Sequence, residues 1–454
     1  MRDSTTAQCV LFQDIFRKPI HARFDQAQAS SDGGAIVLAA ADRRLGLIDR
    51  LAARLHDPRD PVKRRHELRD LLAQRIFGLA CGYEDANDAS RLGDDPVHKL
   101  LLGRDPVAGE ALASQPTLSR FENGFGRVEL LAMSEALLET VLARRKARKV
   151  KRITVDLDVT DDPTHGAQQL SFFNGHYDTH CYLPLLAFLT FNGEPDQHLV
   201  AAMLRPGNAP TARGALAMLS RVLQRLQQHF PNARLLVRLD GGFAGPELLE
   251  FLDEVCVDYA VGLPGNAVLE RLAEPFMAAV QLRSALTEQT EHDYHAGRYA
   301  AGTWDRERRV VIQAEVTRFP HREPRDNPRF VVTNLRLAPE KVYALYGQRG
   351  EIENRIKELH HGLAIDRTSC PRFLANQLRV LMTAAAFVLL QEVRRRAVGT
   401  RFHRAQAWTI REQLLKLGAR VVVSARRIVL HLPANFPFVV PWRRVALAFG
   451  ASSG

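Results

Sequence analysis

The chain has 454 residues, of which 46% are apolar and 25% charged, with a net charge of +11. That length suggests about three structural units and leaves ample chain for a large core, in a composition ordinary for a soluble globular protein. Residues 1–9 are polar with no apolar run behind them, which argues against a secretory signal; the strongest apolar stretch, 380–390, is too short to span a bilayer; and Cys9, Cys81, Cys181, Cys256 and Cys370 are too far apart in sequence for a thiolate zinc motif and read as reduced thiols of a cytosolic protein. The charge is unevenly placed. Residues 391–454 hold twelve Lys/Arg against two Asp/Glu, and residues 144–152 (RRKARKVKR) hold seven basic residues in nine. Clustered cations favour polyphosphate partners through counterion release, although a solvated basic face would show the same composition.

Residues 1–150 read mainly as helices, with apolar residues at three- and four-residue spacing over 34–55 and 66–79. The stretch 112–125 (LASQPTLSRFENGF) is similar to the turn and second helix of a helix-turn-helix. Pro116 suits a helix start, and Gln115, Thr117, Ser119 and Arg120 would be its exposed early residues, with Arg120 a candidate DNA contact. A plain connection between packed helices fits the same residues. From residue 151 the period changes to two: Ile153, Val155, Leu157 and Val159 alternate with Thr154, Asp156, Asp158 and Thr160. Strand signals continue over 181–191 and 199–204, followed by an amphipathic helix over 212–230. A nearly all-apolar strand over 234–240 (RLLVRLD), a helix over 246–255 and a strand over 258–263 come next. The spacing predicts a mixed sheet with helices on both faces. Residues 265–328 break the pattern and read as an insertion, with a polar His- and Arg-rich run at 288–309 and a strand at 309–316. The sheet resumes at 329–334 (RFVVTN), followed by helices over 339–362, 375–396 and 408–417. Two runs at 420–424 and 427–432 look like a basic hairpin.

Three carboxylates stand where local structure argues against them. Asp158 lies in an apolar-rich strand, on the same face as Asp156. Asp240 ends a buried strand before Gly241 and Gly242, which free the space around it; ligand sites in open sheets lie beyond strand ends. Glu353 lies on the helix after the last strand, in a polar stripe with Tyr346, Arg349, Lys357 and His360 beside an apolar one of Leu345, Ile352, Ile356, Leu359 and Leu363. Arg349, Glu353 and Lys357 also have the spacing of surface i, i+4 pairs. Three oxygen ligands without Cys or His suit Mg²⁺ or Mn²⁺ rather than zinc, and two such ions about 4 Å apart can clamp a phosphate.

In these residues the chain resembles the DDE transposases of bacterial insertion sequences, in the branch marked by Tyr-x2-Arg-x3-Glu-x6-Lys. Tyr346, Arg349 and Glu353 keep that spacing in YGQRGEIENRIKEL, VDLDVT supplies the Asp-x-Thr first site through Asp158 and Thr160, and VRLDGGF the second through Asp240. The resemblance covers roughly residues 150–395. It implies an RNase H-like core, Asp158, Asp240 and Glu353 as catalytic and metal residues, and two Mg²⁺ or Mn²⁺ ions. It also implies double-stranded DNA, both transposon ends and target, as partner, a homodimer in the synaptic complex, and cut-and-paste transposition from terminal inverted repeats. Seven residues after Glu353, where the family has Lys, stands His360; Lys357 or a protonated His360 would then contact phosphate. Asp156 competes with Asp158 for the first site.

The expected organisation is a helical DNA-binding region (1–150), the first part of the RNase H-like core (151–264), a β-rich insertion (265–328), the second part of the core with the Glu-bearing helix (329–396) and a basic C-terminal region (397–454). The expected setting is bacterial, cytoplasmic and nucleoid-associated, with no membrane partner. Other stretches read more plainly. His176, His180 and Cys181 (HYDTHC) have a helix-like metal spacing but lead into a strand, so a polar turn is expected. Asp161 and Asp162, before Pro163, read as a turn start. His292 and His295 read as a solvated loop, and Trp304 as a hairpin contact. A non-catalytic DNA-binding regulator or decayed transposase would share the basic tail without needing the three acids. A carboxylate glycosidase would need two acids but no basic terminus.

Overall fold

The structure, a computed structural model, describes residues 10–452. Residues 1–9, which include Cys9 and carry the reading of no secretory signal, lie outside the described residues. Cys81, Cys181, Cys256 and Cys370 are free thiols.

The N-terminal region is helical from residue 36 onward and includes α1 (Leu68–Ala80), α2 (Gln115–Glu122) and α3 (Arg127–Ala143). Eight strands then build one sheet: β1 (Arg152–Val159), β2 (Leu185–Phe191), β3 (His198–Met203), β4 (Arg234–Leu239), β5 (Asp258–Leu263), β6 (Glu291–Tyr299), β7 (Arg308–Thr317) and β8 (Arg329–Thr333). Their order across the sheet is β6-β7-β8-β5-β4-β1-β2-β3, with a two-residue strand at Arg325–Asp326 also paired to β7. β1, β4 and β5 run parallel, and β2, β3 and β8 pair antiparallel to their neighbours. The segment β3-β2-β1-β4-β5 is the mixed, helix-flanked sheet of an RNase H-like core. The apolar run at 181–191 is two strands, not one. Thr179–Tyr182 pairs into a small separate sheet, and β2 begins only after Pro184, which has no N–H to give a ladder.

Residues 265–328, read as a β-rich insertion, supply a helix and two strands that extend the sheet at its edge. Asn266 caps α6 (Ala267–Thr287) by accepting from the Val268 and Leu269 N–H groups, at 3.1 and 3.0 Å, when α4 (Ala215–His229) and α5 (Pro246–Glu254) are counted before it. Its buried Leu269, Ala273, Met277 and Val280 keep helical spacing around an internal Pro275. The polar run 291–299 is β6, polar because it is the edge of the sheet. His292 and His295 therefore sit in a strand, not a loop, and the His295 ring stacks on Phe276 at 3.7 Å. Trp304 makes the expected local contact, edge-on to Tyr299 at 5.4 Å.

α7 (Pro339–Gly347) and α8 (Glu351–Leu363) are joined by a 3-10 turn at Gln348–Gly350, and α9 (Phe373–Arg396) follows. The two faces of the sheet carry different cores. Val310, Ile312 and Ala314 join the large core with α6, whereas Val311, Val331 and Ala260 meet Val342 of α7 on the other side. Helix α9 is apolar nearly all round and packs on α1, α2, α3 and β3. Counted as a whole helix rather than as residues 380–390, it is long and apolar enough to cross a membrane; 83% of its most apolar window is buried inside the protein, and it is the central core helix.

The basic hairpin is present as Ala419–Val423 with Ile428–His431, and it pairs with Ala29–Ser30, closing the C-terminal region onto the N-terminal one. The contact is tight: a Cβ on Gly34 would lie 1.8 Å from the Leu414 carbonyl oxygen. Residues 408–417 are a short helix running into a π turn (Arg411–Leu415), and a further helix, Val439–Ala448, carries Trp442. Much of the basic surplus is structural. Arg394 pairs with Glu358 at 2.9 Å, Lys416 with Asp32 at 2.9 Å, Arg144 with Glu392 at 2.7 Å and Arg145 with Glu194 at 2.6 Å. Arg401, Arg404, Arg420, Arg426, Arg427, Arg148, Lys149 and Lys151 remain exposed.

Candidate active site

β1 and β4 are parallel neighbours with Asp156 opposite Arg238. Alternation sends Val155, Leu157, Val237 and Leu239 into the large core. Asp156, Asp158, Arg238 and Asp240 share the other face, under α7 and α8. Two residues beyond the last paired position, the same register sets Asp158 and Asp240 side by side, on chains about 4.8 Å apart. The choice between Asp156 and Asp158 has a local answer. Asp156 is wholly buried and accepts both Arg238 Nε (2.8 Å) and Nη2 (2.7 Å), while Arg238 Nη1 donates to the Leu345 carbonyl at 2.8 Å. Its carboxylate is engaged on both oxygens. Asp158 lies further out, half-buried at the end of the strand.

Asp240 caps the turn that follows it, accepting from the Gly242 N–H at 2.8 Å. Gly242 is needed for space rather than for backbone freedom, because a Cβ there would lie 2.7 Å from Thr211 Cγ2. Glu353 comes from the first turn of α8 and is exposed. The 3-10 turn before it brings Arg349 between the acids. Arg349 Nη1 donates to Asp158 Oδ2 at 2.9 Å, and its Nη2 is 3.6 Å from Glu353 Oε1. Arg349 also feels the charge of Asp240. One guanidinium thus bridges Asp158 and Glu353, with Asp240 near enough for its charge to be felt.

Burial raises the Asp158 carboxyl above its usual value; Arg349 and the Val159 N–H oppose this, and the nearby Asp240 charge adds to it. A half-buried acid beside a second acid is an arrangement that a cation stabilises. The donors are carboxylate oxygens, which suits a hard divalent ion and fits the expected metal. Among the described residues, the one trio of potential ligand atoms within 4.8 Å of one another is elsewhere: Asp32, Cys81 and His98, all buried. That trio already has its cation, Lys416, and Asp32 also accepts from the Tyr83 hydroxyl at 2.8 Å. The Asp158, Asp240 and Glu353 carboxylates are not so close together, and Arg349 lies between those of Asp158 and Glu353.

Tyr346 packs over the end of β5, next to Arg349 and Asp240; burial raises its hydroxyl above the usual value, with Arg349 opposing the shift and the Asp240 charge adding to it. It fits because residue 262 is glycine: a Cβ there would lie 2.5 Å from the Tyr346 hydroxyl. Gly262→Ala is expected to destabilise the protein by about 1–3 kcal/mol through overpacking. Adding Tyr346→Phe should recover most of that loss in equilibrium unfolding. If the double variant is no more stable than Gly262→Ala alone, the hydroxyl is not the obstacle.

Not every predicted contact is available. Lys357 is exposed and has no hydrogen bond or ion pair. His360 does not face outward with it. Its Nε2 meets Thr160 Oγ1 at 2.7 Å and its Nδ1 meets Asp366 Oδ2 at 3.0 Å, so both ring nitrogens are occupied and a free phosphate contact is excluded in this arrangement. Arg120 is exposed on α2, but α2 is not the second helix of a helix-turn-helix. Thirteen residues separate it from the preceding helix, Pro96–Leu101, far beyond a three- or four-residue turn. His180 is exposed whereas Cys181 is buried, as expected for a polar hairpin. Asp162 is the larger surprise: it does not sit in an open turn but is wholly buried, and Thr368 Oγ1 donates to it at 2.9 Å. Burial, reinforced by Asp366 and Asp161, pushes its carboxyl up to about 8.

Tyr177 was not singled out by its sequence context. It sits in the turn of the small hairpin, within electrostatic reach of Asp158 and Asp240. Arg238, Gly262 and Asp366 likewise have no one-dimensional signature, because each acts on a residue at least 80 positions away or through a ring that only folding brings near.

Residues 12–448 match the family model described as Transposase DDE domain group 1. No curated protein matches the chain. Among solved structures, the piggyBac transposase in a synaptic complex with hairpin DNA is similar at 8% identity and a TM-score of 0.41, over 80% of this chain and 76% of that one.

Proposed function

The chain belongs to the DDE-domain transposases, group 1, and on that premise we propose that it is an insertion-sequence transposase that binds terminal inverted repeats, cleaves DNA and joins the freed ends to a target. The observation that supports this reading is Arg349 bridging Asp158, at the end of β1, and Glu353, on α8, with Asp240 beside Asp158 at the end of β4. Transposases of this family use divalent metal ions. Here Asp158, Asp240 and Glu353 would hold Mg²⁺ or Mn²⁺, two ions in all. When bound, the ions would lower the pKa of the attacking water or 3′-hydroxyl and stabilise the charge on the leaving oxygen.

The chain's own residues then have separate tasks. Asp240 is held in place by the Gly242 N–H and Asp158 by the strand. Arg349, which donates to Asp158 and approaches Glu353, is placed to take a phosphate oxygen with its remaining donors. Tyr346 closes the side of the site toward β5. Lys357, one turn after Glu353 and free, is the phosphate contact that His360 is not. The exposed Arg401, Arg404, Arg420, Arg426 and Arg427 offer further backbone contacts to double-stranded DNA, with two copies of the chain in the synaptic complex. A non-catalytic DNA binder has no need of two adjacent half-buried acids, whose mutual repulsion only destabilises the fold.

The test is cleavage of a supercoiled plasmid carrying the element's ends by the purified protein. Nicking is expected with Mg²⁺ or Mn²⁺, to vanish in EDTA and to return on adding excess metal. Cleavage that survives EDTA, or none with either ion despite tight end binding, would sink the proposal.

A further inference from the structure

The position seven residues after Glu353 is built into the site in a way that its residue type alone does not suggest. His360 lies about 10 Å along α8 from Glu353, two turns on. Its Nδ1 faces the Asp366 carboxylate at 3.0 Å and its Nε2 shares a hydrogen bond with the Thr160 hydroxyl at 2.7 Å. Thr160 is buried, two residues past Asp158, and its backbone N–H donates to the Pro184 carbonyl at 3.0 Å, so it is anchored to the loop that enters β2. Asp366 reaches back to the ring because Ala364 ends α8 in the left-handed region, at φ 46°. That conformation is disfavoured for a non-glycine residue, and such strain persists only where surrounding contacts enforce it. Arg379 Nη2, which donates to the Ala364 carbonyl at 3.4 Å, is one such contact.

We propose that Asp366, His360 and Thr160 form a positioning clamp that sets the spacing between the Glu353 helix and the Asp158 strand end. The proposal rests on the transposase reading of this site and adds to it a division of labour. The helix is tied to the strand at two points. Arg349, one turn before Glu353, holds Asp158 through charge, and a divalent cation competes directly for that carboxylate. The His360–Thr160 contact uses no acid of the site, so a metal held by those acids would not compete with it. Besides the burial of Ile352, Leu359 and Leu363, these two contacts link the helix to the strand, and a metal bound at Asp158 would leave the second in place. His360 is thus a positioning residue, and phosphate binding at this end of the helix falls to Lys357.

The test compares Thr160→Val, Thr160→Ser, His360→Ala and the double variant Thr160→Val/His360→Ala in the full-length protein. Thr160→Val keeps the shape of the side chain and loses only the hydroxyl. It is expected to lower kcat for end nicking about 10-fold with KM for end DNA within about 2-fold, and to weaken Mn²⁺ binding, read by electron paramagnetic resonance, about 10-fold. Thr160→Ser should restore both, and the double variant should be no worse than the poorer single one. Overturning results are a His360→Ala loss confined to DNA affinity with a shallower salt dependence, which would mark a phosphate contact. Equally adverse would be single effects that multiply in the double variant, or unchanged Mn²⁺ binding and kcat in Thr160→Val. Asp240→Ala serves as control. If it still cleaves, the transposase reading of the site fails; if it is inactive while Thr160 and His360 prove independent, only the clamp fails.

Discussion

Asp240→Ala is expected to abolish DNA cleavage and strand transfer, by about 10³-fold or more, while leaving the fold and the affinity for end DNA intact. Asp240 caps a short turn with one hydrogen bond and makes no ion pair that holds the sheet together, so its removal is tolerated structurally. Glu353→Ala should be as damaging, since it is exposed and its only recorded ion pair is the 3.6 Å approach of Arg349. Because the acids act as a unit, the double variant should be about as inactive as either single one. Asp156→Ala provides the contrast. It leaves Arg238 buried without its carboxylate, and its main effect should be a loss of about 3–5 kcal/mol of stability. Single-turnover cleavage beside mobility shift and unfolding curves separates these outcomes. A near-normal cleavage rate in Asp240→Ala would remove the acid from the site. An Asp156→Ala protein that is stable yet inactive would return Asp156 to the first position.

The second large effect is on stability, and its sign is less intuitive. Asp162→Asn is expected to stabilise the protein at pH 7–8 by about 2–4 kcal/mol. Folding raises the Asp162 carboxyl from 3.8 to about 8, mainly by burial. A raised acid holds its proton in the folded state and loses it in the unfolded one. Its contribution to stability is therefore full below about pH 4 and is lost as pH rises toward 8. Asparagine has the same shape, no charge to lose, and can keep the Thr368 contact. The variant and the parent should accordingly converge near pH 4 and separate progressively up to pH 8, in unfolding experiments at matched ionic strength. If the separation runs the other way, Asp162 is ionised in the folded protein.

Several features were legible in one dimension because they are local. The period of two over Ile153–Thr160, the buried apolar run ending at Asp240 and the helical stripe of Ile352, Ile356 and Leu359 follow from side-chain spacing alone. So do the Tyr346, Arg349 and Glu353 positions on which the family resemblance stands. The polar edge strand β6 was misread because an edge has no second neighbour to demand apolar side chains. The α6 helix was obscured by Pro275 within its span. Residues 265–328 looked like an interruption, since no local signal says which edge of a sheet a strand will join.

By itself, then, the sequence determined which residue types lie on which face of which element, and hence the three acids and their order. Only the tertiary structure decided which acids are free. Asp156 and Asp158 are equivalent by period and face, and the difference is Arg238, 82 residues away, which closes on one of them. His360 and Lys357 share a helix, and the difference is Thr160 and Asp366, which turn the imidazole inward while the ammonium stays in water. Charge, hydrogen bonding and burial depend on what lies within a few ångströms, and for these side chains that neighbourhood comes from chain segments remote in sequence.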